Sequence, residues 1–179
     1  MLSIDNTILL VIDVQGKLAE VMDNRETLFA NLQRMVQGAK VLDLPIVVTE
    51  QVPEKLGTTR PEIGQYLADI EPVTKRSFSC CGDDAFMSQL ATLNRKQILM
   101  TGIETHICVY QTAIDLIDQG YEVQLVADAV SSRTPENRQL GLERIKEAGA
   151  SLTSTEMALF ELLRVAEGSK FKEISKIVK

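Results

Sequence analysis

The chain has few of the residues that commonly hold metal ions or form disulfide frameworks. Of its 179 residues, one is histidine and three are cysteine. The single histidine, His106, leaves no second imidazole for a His-rich metal site. Cys80 and Cys81 are neighbours, which cannot readily form a relaxed disulfide, and the three cysteines make no zinc pattern. We therefore expect a metal-free protein from a reducing compartment.

The sequence also lacks excess positive charge and long apolar runs. It has 19 Lys and Arg against 25 Asp and Glu, a formal net charge of -6. This balance disfavours nucleic acid and anionic membranes as partners. No apolar run approaches the roughly 20 residues of a membrane span. The first residues have no basic region and meet Asp5 and Asp13 too early for a signal peptide, so we expect a cytoplasmic location.

Glycine-rich phosphate-binding motifs are absent as well. The loop glycines form neither GxGxxG nor a P-loop, so the sequence gives no support for a nucleotide cofactor. What remains is an ordinary globular composition, with 45% hydrophobic and 25% charged residues. We expect a single domain over residues 1–179, long enough to bury a hydrophobic core without stabilisation by disulfide bonds.

Apolar β-rich runs alternate with helical patterns along the chain. The runs predicted as strands include residues 7–12, 45–49, 121–126 and 150–153, and a further strand from Ile98 that ends in a turn at Thr101 and Gly102. Helical periodicity occupies the segments between them, apart from a predicted loop over residues 52–69 with a short helical turn near residues 63–67. The runs are too apolar to face water. The pattern therefore predicts an α/β fold, a doubly wound parallel sheet in three layers with helices on both faces.

Cys108 is the first candidate for chemistry. The predicted strand-turn-helix places it in the first turn of a helix, where unpaired N–H groups and the helix dipole favour an anion. We therefore predict that this thiol ionises more easily than a free one. The same N–H groups can hold the oxyanion formed when a thiolate attacks a carbonyl. The alternative is a small buried hydrophobe that packs the helix against the sheet.

Two charged residues complete a candidate constellation with Cys108. Asp13 follows the first strand, at the sheet edge where ligands bind in such folds, and can act as the base. Lys75 lies in a strand-like segment and supplies the cation that stabilises a thiolate. The alternatives are a strand-end cap for Asp13 and a solvated surface charge for Lys75. His106 is two residues from Cys108 and does not face it on a helix, so we interpret it as structural or pocket-lining.

Three separated motifs carry a family resemblance. They are LLVIDVQ with Asp13 and Gln15, VTKRSFSC with Lys75 and Phe78, and TGIETHICVYQTAIDL with Cys108. In this order they resemble the isochorismatase-like cysteine hydrolases, the superfamily that includes nicotinamidase and N-carbamoylsarcosine amidase. The segments IVVTEQVPEKLG and FKEISKIVK are most similar to the isochorismatase-domain-containing branch.

The resemblance implies a six-stranded parallel sheet and a catalytic triad of Asp13, Lys75 and Cys108. In the family the cysteine attacks a carbonyl, the aspartate shuttles the proton, and a thioester forms and is hydrolysed. The resemblance also implies a cis peptide between Ile103 and Glu104. The N–H groups of Glu104 and Cys108 would then form the oxyanion hole.

The resemblance also sets expectations for ligands. Metal-binding nicotinamidases carry histidines after the second strand, where this chain has Glu50, Gln51 and Glu54. We therefore expect no catalytic zinc or iron, no cofactor, and a substrate other than nicotinamide. The predicted substrate contacts are Gln15, Gln51, Phe78 and Ile103. The family often assembles as dimers or tetramers, so we expect a homo-oligomer.

The function predicted from the sequence is hydrolysis of a small amide or related C–N bond through a thioester. Some family members cleave an enol ether without a cysteine nucleophile, which gives a second enzymatic possibility. A catalytically idle fold that serves as a binding or scaffold protein is the alternative from another class.

Overall fold

Six parallel strands form the centre of the protein and alternate along the chain with helices. The computed structural model describes all residues from 1 to 179. The strands are β1 (Thr7–Ile12), β2 (Ile46–Gln51), β3 (Val73–Lys75), β4 (Gln97–Ile103), β5 (Glu122–Ser131) and β6 (Ser151–Thr153). The helices are α1 (Gly16–Glu20), α2 (Arg25–Val41), α3 (Pro53–Leu56), α4 (Pro61–Gly64), α5 (Asp84–Leu93), α6 (Tyr110–Asp118), α7 (Pro135–Glu147), α8 (Thr155–Leu163) and α9 (Gly168–Ile177). The predicted α/β fold class is confirmed.

The order of the strands determines where a ligand can bind. Across the sheet the order is β3-β2-β1-β4-β5-β6, and every neighbouring pair is parallel. The chain runs outward from β1 in one direction, then crosses to β4 and runs outward in the other. Ligands of doubly wound sheets bind at this switch point, beyond the carboxyl ends of the strands. The end of β1 and the end of β4 are therefore the places to look for a site.

The core lies in two layers, one on each face of the sheet. All six residues of β1 are buried, and alternation sends Leu9 and Val11 to one face and Ile8, Leu10 and Ile12 to the other. Helices α2, α8 and α9 cover the first face. Helices α5, α6 and α7 cover the second. Both faces of the strand are covered, which explains why its sequence is continuously apolar.

Strand β4 is longer than the sequence predicts. It continues through Gly102 to Ile103. Gly102 does not end the strand; it allows a close approach, since a Cβ there would lie 2.1 Å from the carbonyl oxygen of Ile12. Gly102 also has φ +115°, which favours glycine. The expectation of a turn at Thr101 and Gly102 is therefore wrong, because the glycine is needed for packing against β1.

Several other boundaries also differ from expectation. Strand β5 runs on past residue 126 to Ser131 through an irregularity in its pairing with β4. In the predicted loop over residues 52–69, the helical turn expected near residues 63–67 is α4, which starts two residues earlier, and α3 was not expected. Each of the two helices begins with a proline at its first position. Helix α1 was missed, since five residues are too few to show a helical period. None of the helices has the length and hydrophobicity needed to cross a membrane.

Candidate active site

Asp13 lies directly beyond β1 and is held by the neighbouring strand. Its φ is +53°, a left-handed conformation that few non-glycine residues adopt. Its backbone N–H donates to the carbonyl of Thr49 at 3.1 Å. The Thr49 hydroxyl donates to Oδ1 of Asp13 at 2.7 Å. Asp13 is only 2% exposed, so its carboxylate depends on protein partners rather than on bulk water.

Lys75 is the last residue of β3, and its side chain turns inward toward Asp13. The Nζ atom donates to Oδ2 of Asp13 at 2.6 Å and to Oε1 of Gln51 at 2.7 Å. It also donates to the carbonyl oxygens of Ser77 and Phe78, each at 3.1 Å. Four acceptors thus surround one ammonium group, so Lys75 is a fixed positive charge against the Asp13 carboxylate.

Cys108 lies in a wide turn between β4 and α6. Residues Thr105–Val109 form a π-helical turn, in which the carbonyl of Glu104 accepts the N–H groups of Ile107 at 3.0 Å and Val109 at 3.2 Å. The α-helix starts only at residue 110. Cys108 therefore lies in the first turn of a helical segment, as expected, but that turn is π-helical and continues as α6. Wide turns of this kind are often found at functional sites.

The thiol of Cys108 contacts Asp13 and is held in its protonated form. Burial raises the pKa of Cys108, the negative charge of Asp13 raises it further, and Lys75 acts in the opposite direction. A side-chain hydrogen bond with Asp13 also favours the thiol. The prediction that this thiol ionises easily is therefore wrong for the resting site. Desolvation and a neighbouring carboxylate outweigh the effect of the helix terminus.

Glu104 links the turn to the loop after β5. The peptide bond between Ile103 and Glu104 is cis. The Glu104 side chain is buried, and its Oε2 accepts the backbone N–H and the Nε of Arg133, each at 3.1 Å. The carboxylate is therefore accommodated by two donors from one residue. The oxyanion role of the N–H groups of Glu104 and Cys108 stays a prediction.

Comparison with known proteins agrees with this geometry. The Isochorismatase domain family matches residues 7–157. The chain belongs to the isochorismatase family. It is 41% identical over 178 residues to the secreted isochorismatase effector Isc1 of Phytophthora sojae, a match that covers 97% of this chain and 85% of that protein. It is 38% identical over 173 residues to isochorismatase domain-containing protein 2 of Xenopus laevis, covering 97% and 83%.

A solved structure shows the same fold in a relative. The MAR1 ribonuclease from Caenorhabditis elegans superposes with a TM-score of 0.92 at 34% sequence identity, covering 99% of this chain and 91% of that one. The resemblance found from the three motifs, including the likeness to the isochorismatase-domain-containing branch, is thus confirmed.

The predicted substrate contacts fall in different environments within this isochorismatase-family site. Gln15 is fully buried and donates to the carbonyls of Gly57 at 2.6 Å and Gln51 at 3.2 Å, while its Oε1 accepts the N–H of Gln51 at 2.6 Å. Ile103 is also fully buried, and Phe78 is 55% exposed. Gln15 thus holds the 51–57 loop and Ile103 lies in the core. Their roles as substrate contacts stay predictions.

Gln51 and Phe78 remain available as substrate contacts. Gln51 is partly exposed and connects Lys75 to the carbonyl of Arg76, to which its Nε2 donates at 2.8 Å. Phe78 exposes its ring while its carbonyl holds Lys75. Both residues therefore surround the fixed cation.

The isochorismatase-family turn does not contain a Cys–His dyad. Nδ1 of His106 lies 2.9 Å from the Oγ of Ser132, and the ring borders a groove with Tyr110 and Arg144. This position agrees with the interpretation of His106 as structural or pocket-lining. No group of three or more His, Cys, Asp or Glu side chains is close enough to hold a metal ion.

The other two cysteines are free and poorly ionisable. Burial raises the pKa of Cys80 to about 11 and that of Cys81 to about 12. Sγ of Cys80 lies 3.8 Å from the hydroxyl of Thr49, the residue that also binds Asp13. Sequence reasoning missed Thr49 and Arg133. The end of β2 was expected at the same sheet edge as Asp13, which was a usable signal for Thr49, whereas nothing in the sequence connects Arg133 to Glu104.

Proposed function

We propose that the protein is a cysteine hydrolase that cleaves a small amide or related C–N bond through a thioester at Cys108. The observation that carries this proposal is that one buried carboxylate, that of Asp13, interacts with both of the other candidate residues. Asp13 lies near enough to Cys108 to raise the pKa of its thiol, and it accepts a hydrogen bond from the ammonium of Lys75, at the switch point of the sheet. A nucleophile beside a base, with a third group that fixes the base, is the general arrangement for covalent catalysis.

The proposed reaction begins with a proton transfer. The S–H bond of Cys108 breaks, the proton moves to the Asp13 carboxylate, and the sulfur attacks the carbonyl carbon of the substrate. The N–H groups of Glu104 and Cys108 receive the oxyanion. Protonated Asp13 then gives its proton to the leaving nitrogen, and the C–N bond breaks to leave a thioester.

In the second half of the reaction Asp13 acts again as a base. Asp13 takes a proton from water as the water oxygen attacks the thioester carbonyl. The C–S bond breaks, the carboxylic acid leaves, and the proton returns to the sulfur. Lys75 keeps its charge throughout, which stabilises the negative charge that develops on the sulfur and on Asp13.

The raised pKa of Cys108 is compatible with this sequence of steps. A protonated thiol beside an ionised carboxylate has one mobile proton and a general base already in contact. The thiolate then forms only as the attack proceeds, when the oxyanion donors and Lys75 can share its charge.

The relative described as a ribonuclease raises RNA as another substrate class. A net charge of -6 opposes the approach of a polyanion, because RNA binding draws on clustered Lys and Arg. Small uncharged or singly charged amides face no such barrier. We therefore favour a small-molecule substrate and include RNA as a control.

The experiment is a screen of small primary amides and ureido acids for ammonia release, with an RNA oligonucleotide in parallel. Cys108→Ala should lower turnover by at least about 10³-fold, whereas Cys81→Ala, which removes a thiol outside the triad, should keep it. Acid quenching should trap an acyl group on Cys108, seen as an added mass. Undiminished turnover in Cys108→Ala removes the thioester mechanism.

A second measurement addresses the scaffold alternative. Iodoacetamide labelling at neutral pH, located by mass spectrometry, should modify Cys108 faster than Cys81 because only Cys108 has a base in contact. Equal labelling of the two thiols, together with no turnover in the screen, would favour an idle binding protein.

A further inference from the structure

We infer that Thr49 is a positioning residue of this site, which orients the Asp13 carboxylate toward Cys108 and keeps it ionised as the base. The inference deepens the proposed function and rests on it. The side chain of Thr49 is fully buried, and its hydroxyl contacts Asp13 and Cys80. The inference follows from the contacts that Thr49 makes with both the main chain and the side chain of Asp13.

The main-chain contact is set by the register of the sheet. Thr49 pairs with Ile12 in the parallel ladder between β1 and β2. The next N–H along β1 belongs to Asp13, and it donates to the carbonyl of Thr49 at 3.1 Å. The ladder thus continues one residue beyond β1. Asp13 needs this support because its left-handed backbone, with φ +53°, is costly for a residue with a side chain.

The side-chain contact fixes the plane of the carboxylate. The hydroxyl of Thr49 lies 2.7 Å from Oδ1, and Nζ of Lys75 lies 2.6 Å from Oδ2. Each oxygen of Asp13 therefore has its own donor from a different strand. Rotation of the carboxylate about its Cβ–Cγ bond would break both hydrogen bonds. The two hydrogen bonds therefore hold the carboxylate in one orientation.

The direction of this hydrogen bond follows from its surroundings. An ionised carboxylate is only an acceptor, so the single proton of the hydroxyl points to Oδ1. On its other side Thr49 lies 3.8 Å from Sγ of Cys80. Thr49 is 0% exposed, so water does not readily replace it. A buried, charge-assisted hydrogen bond of this kind favours the ionised form of the acceptor.

The groups that face Asp13 are few, which makes the effect of Thr49 measurable. From β3 comes the ammonium of Lys75, from the wide turn the thiol of Cys108, and from the turn before α5 the thiol of Cys80. Lys75 and Thr49 favour the charged carboxylate. The two thiols are neutral near pH 7 because burial raises the pKa of each.

The test is Thr49→Val, which removes the hydroxyl and keeps a β-branched side chain suited to a strand. Without its donor the carboxylate takes up a proton at higher pH, so the acidic limb of the rate–pH profile should move up by about one pH unit. We expect kcat to fall about tenfold and KM to stay within about twofold, since Thr49 does not touch the substrate. Thr49→Ser should restore both the rate and the profile.

Thr101→Val is the matched control. It also deletes a fully buried strand hydroxyl, one that donates to the carbonyl of Leu10 at 2.9 Å and makes no hydrogen bond with Asp13. It should leave the pH profile in place. If Thr49→Val does not fold, Thr49→Ala provides the same deletion. An unmoved profile in the folded Thr49 variant, or an equal shift in Thr101→Val, overturns the inference.

A substrate-free measurement separates this inference from the proposed function. The rate of iodoacetamide labelling at Cys108 is followed against pH in the native protein and in each variant. An upward shift of its acidic limb in Thr49→Val supports the positioning role even if the amide screen finds no substrate. Amide turnover with an unshifted labelling profile supports the proposed function and overturns the role of Thr49.

Discussion

Lys75 and Arg76 are neighbours in sequence, yet Lys75 forms a buried ion pair and Arg76 forms an exposed one. Nζ of Lys75 lies 2.6 Å from Asp13, and the two side chains are 0% and 3% exposed. A guanidinium nitrogen of Arg76 lies 3.0 Å from Glu54, and those side chains are 82% and 55% exposed. The distances are similar and the environments are not. Extended backbone sends successive side chains to opposite faces, so one step along the chain separates a buried charge from a solvated one.

The comparison shows that burial, not distance, determines what an ion pair does. Exposed pairs contribute little because water and salt screen them. A buried pair makes each charge depend on the other, since neither can recover its hydration. The sequence contains both pairs as ordinary charged residues. Only the buried pair of Lys75 and Asp13 can change the proton affinity of a proposed catalytic base, Asp13.

The largest expected effect is the removal of the buried cation. Lys75→Met keeps the aliphatic stem but leaves the Asp13 carboxylate buried and uncompensated. The free energy of unfolding, measured by urea titration, should fall by roughly 3 to 5 kcal/mol. Arg76→Met, the matched change one residue away, should cost less than about 1 kcal/mol.

The double variant Lys75→Met with Asp13→Asn sharpens this prediction. It removes both charges, so it should recover part of the stability that Lys75→Met loses. Equal losses for the Lys75 and Arg76 single variants would show that the exposed and buried pairs are energetically alike.

An intermediate effect is expected for the pair with one buried and one exposed member. Glu104 is 6% exposed at its side chain and Arg133 is 57% exposed. Glu104→Gln keeps the shape but weakens both hydrogen bonds to Arg133, and should lower the free energy of unfolding by about 1 to 2 kcal/mol. Arg133→Ala removes only the side-chain donor and should cost less. A larger loss for Arg133→Ala than for Glu104→Gln would contradict this order.

A separate effect is expected at alkaline pH, from the thiols near the buried pair. The folded protein raises the pKa of Cys80 to about 11 and that of Cys81 to about 12, mainly by burial. The unfolded chain therefore loses these protons first as the pH rises above about 8.5. Stability is fully present below that pH and should fall between about pH 9 and 11. Urea midpoints across this range should decline, and less steeply in Cys81→Ala.

The smallest effect is expected for a surface carboxylate. The side chain of Glu62 is 40% exposed, and its hydrogen bond with Arg60 lowers its pKa. A lowered pKa in the folded state gives stability above about pH 4.3 that is lost as the pH falls further. Because water screens the pair, Glu62→Gln should change the urea midpoint at pH 7 by less than about 0.3 M. A shift in the urea midpoint as large as that caused by Glu104→Gln would contradict the expected order of effects.

Much of the fold was predictable because its signals are local. The apolar run of β1 gave both limits of that strand correctly. Thr134 caps α7 just before Pro135, a residue order typical of helix starts. Asp13 was correctly placed at the carboxyl end of a strand. Gly102 misled the prediction because a glycine that ends a strand and one that admits a neighbouring backbone look the same in sequence.

The ionisation of Cys108 could not be predicted from its own segment. The sequence around it indicates a helix terminus, which lowers the pKa of a thiol. The structure adds burial and the carboxylate of Asp13, which is 95 positions away in the chain, and these raise it. The same holds for Arg133, whose contact with Glu104 depends on where the loop after β5 ends.

The sequence by itself determined the alternation of strands and helices, the two-sided burial of β1 and the family, because these depend on the order of apolar residues and on short motifs. Tertiary structure alone decided which donors reach the oxygens of Asp13 and whether Cys108 rests as a thiol. The physical reason is that hydrogen bonding and desolvation depend on distances of a few ångströms between strands, and a linear sequence does not contain those distances.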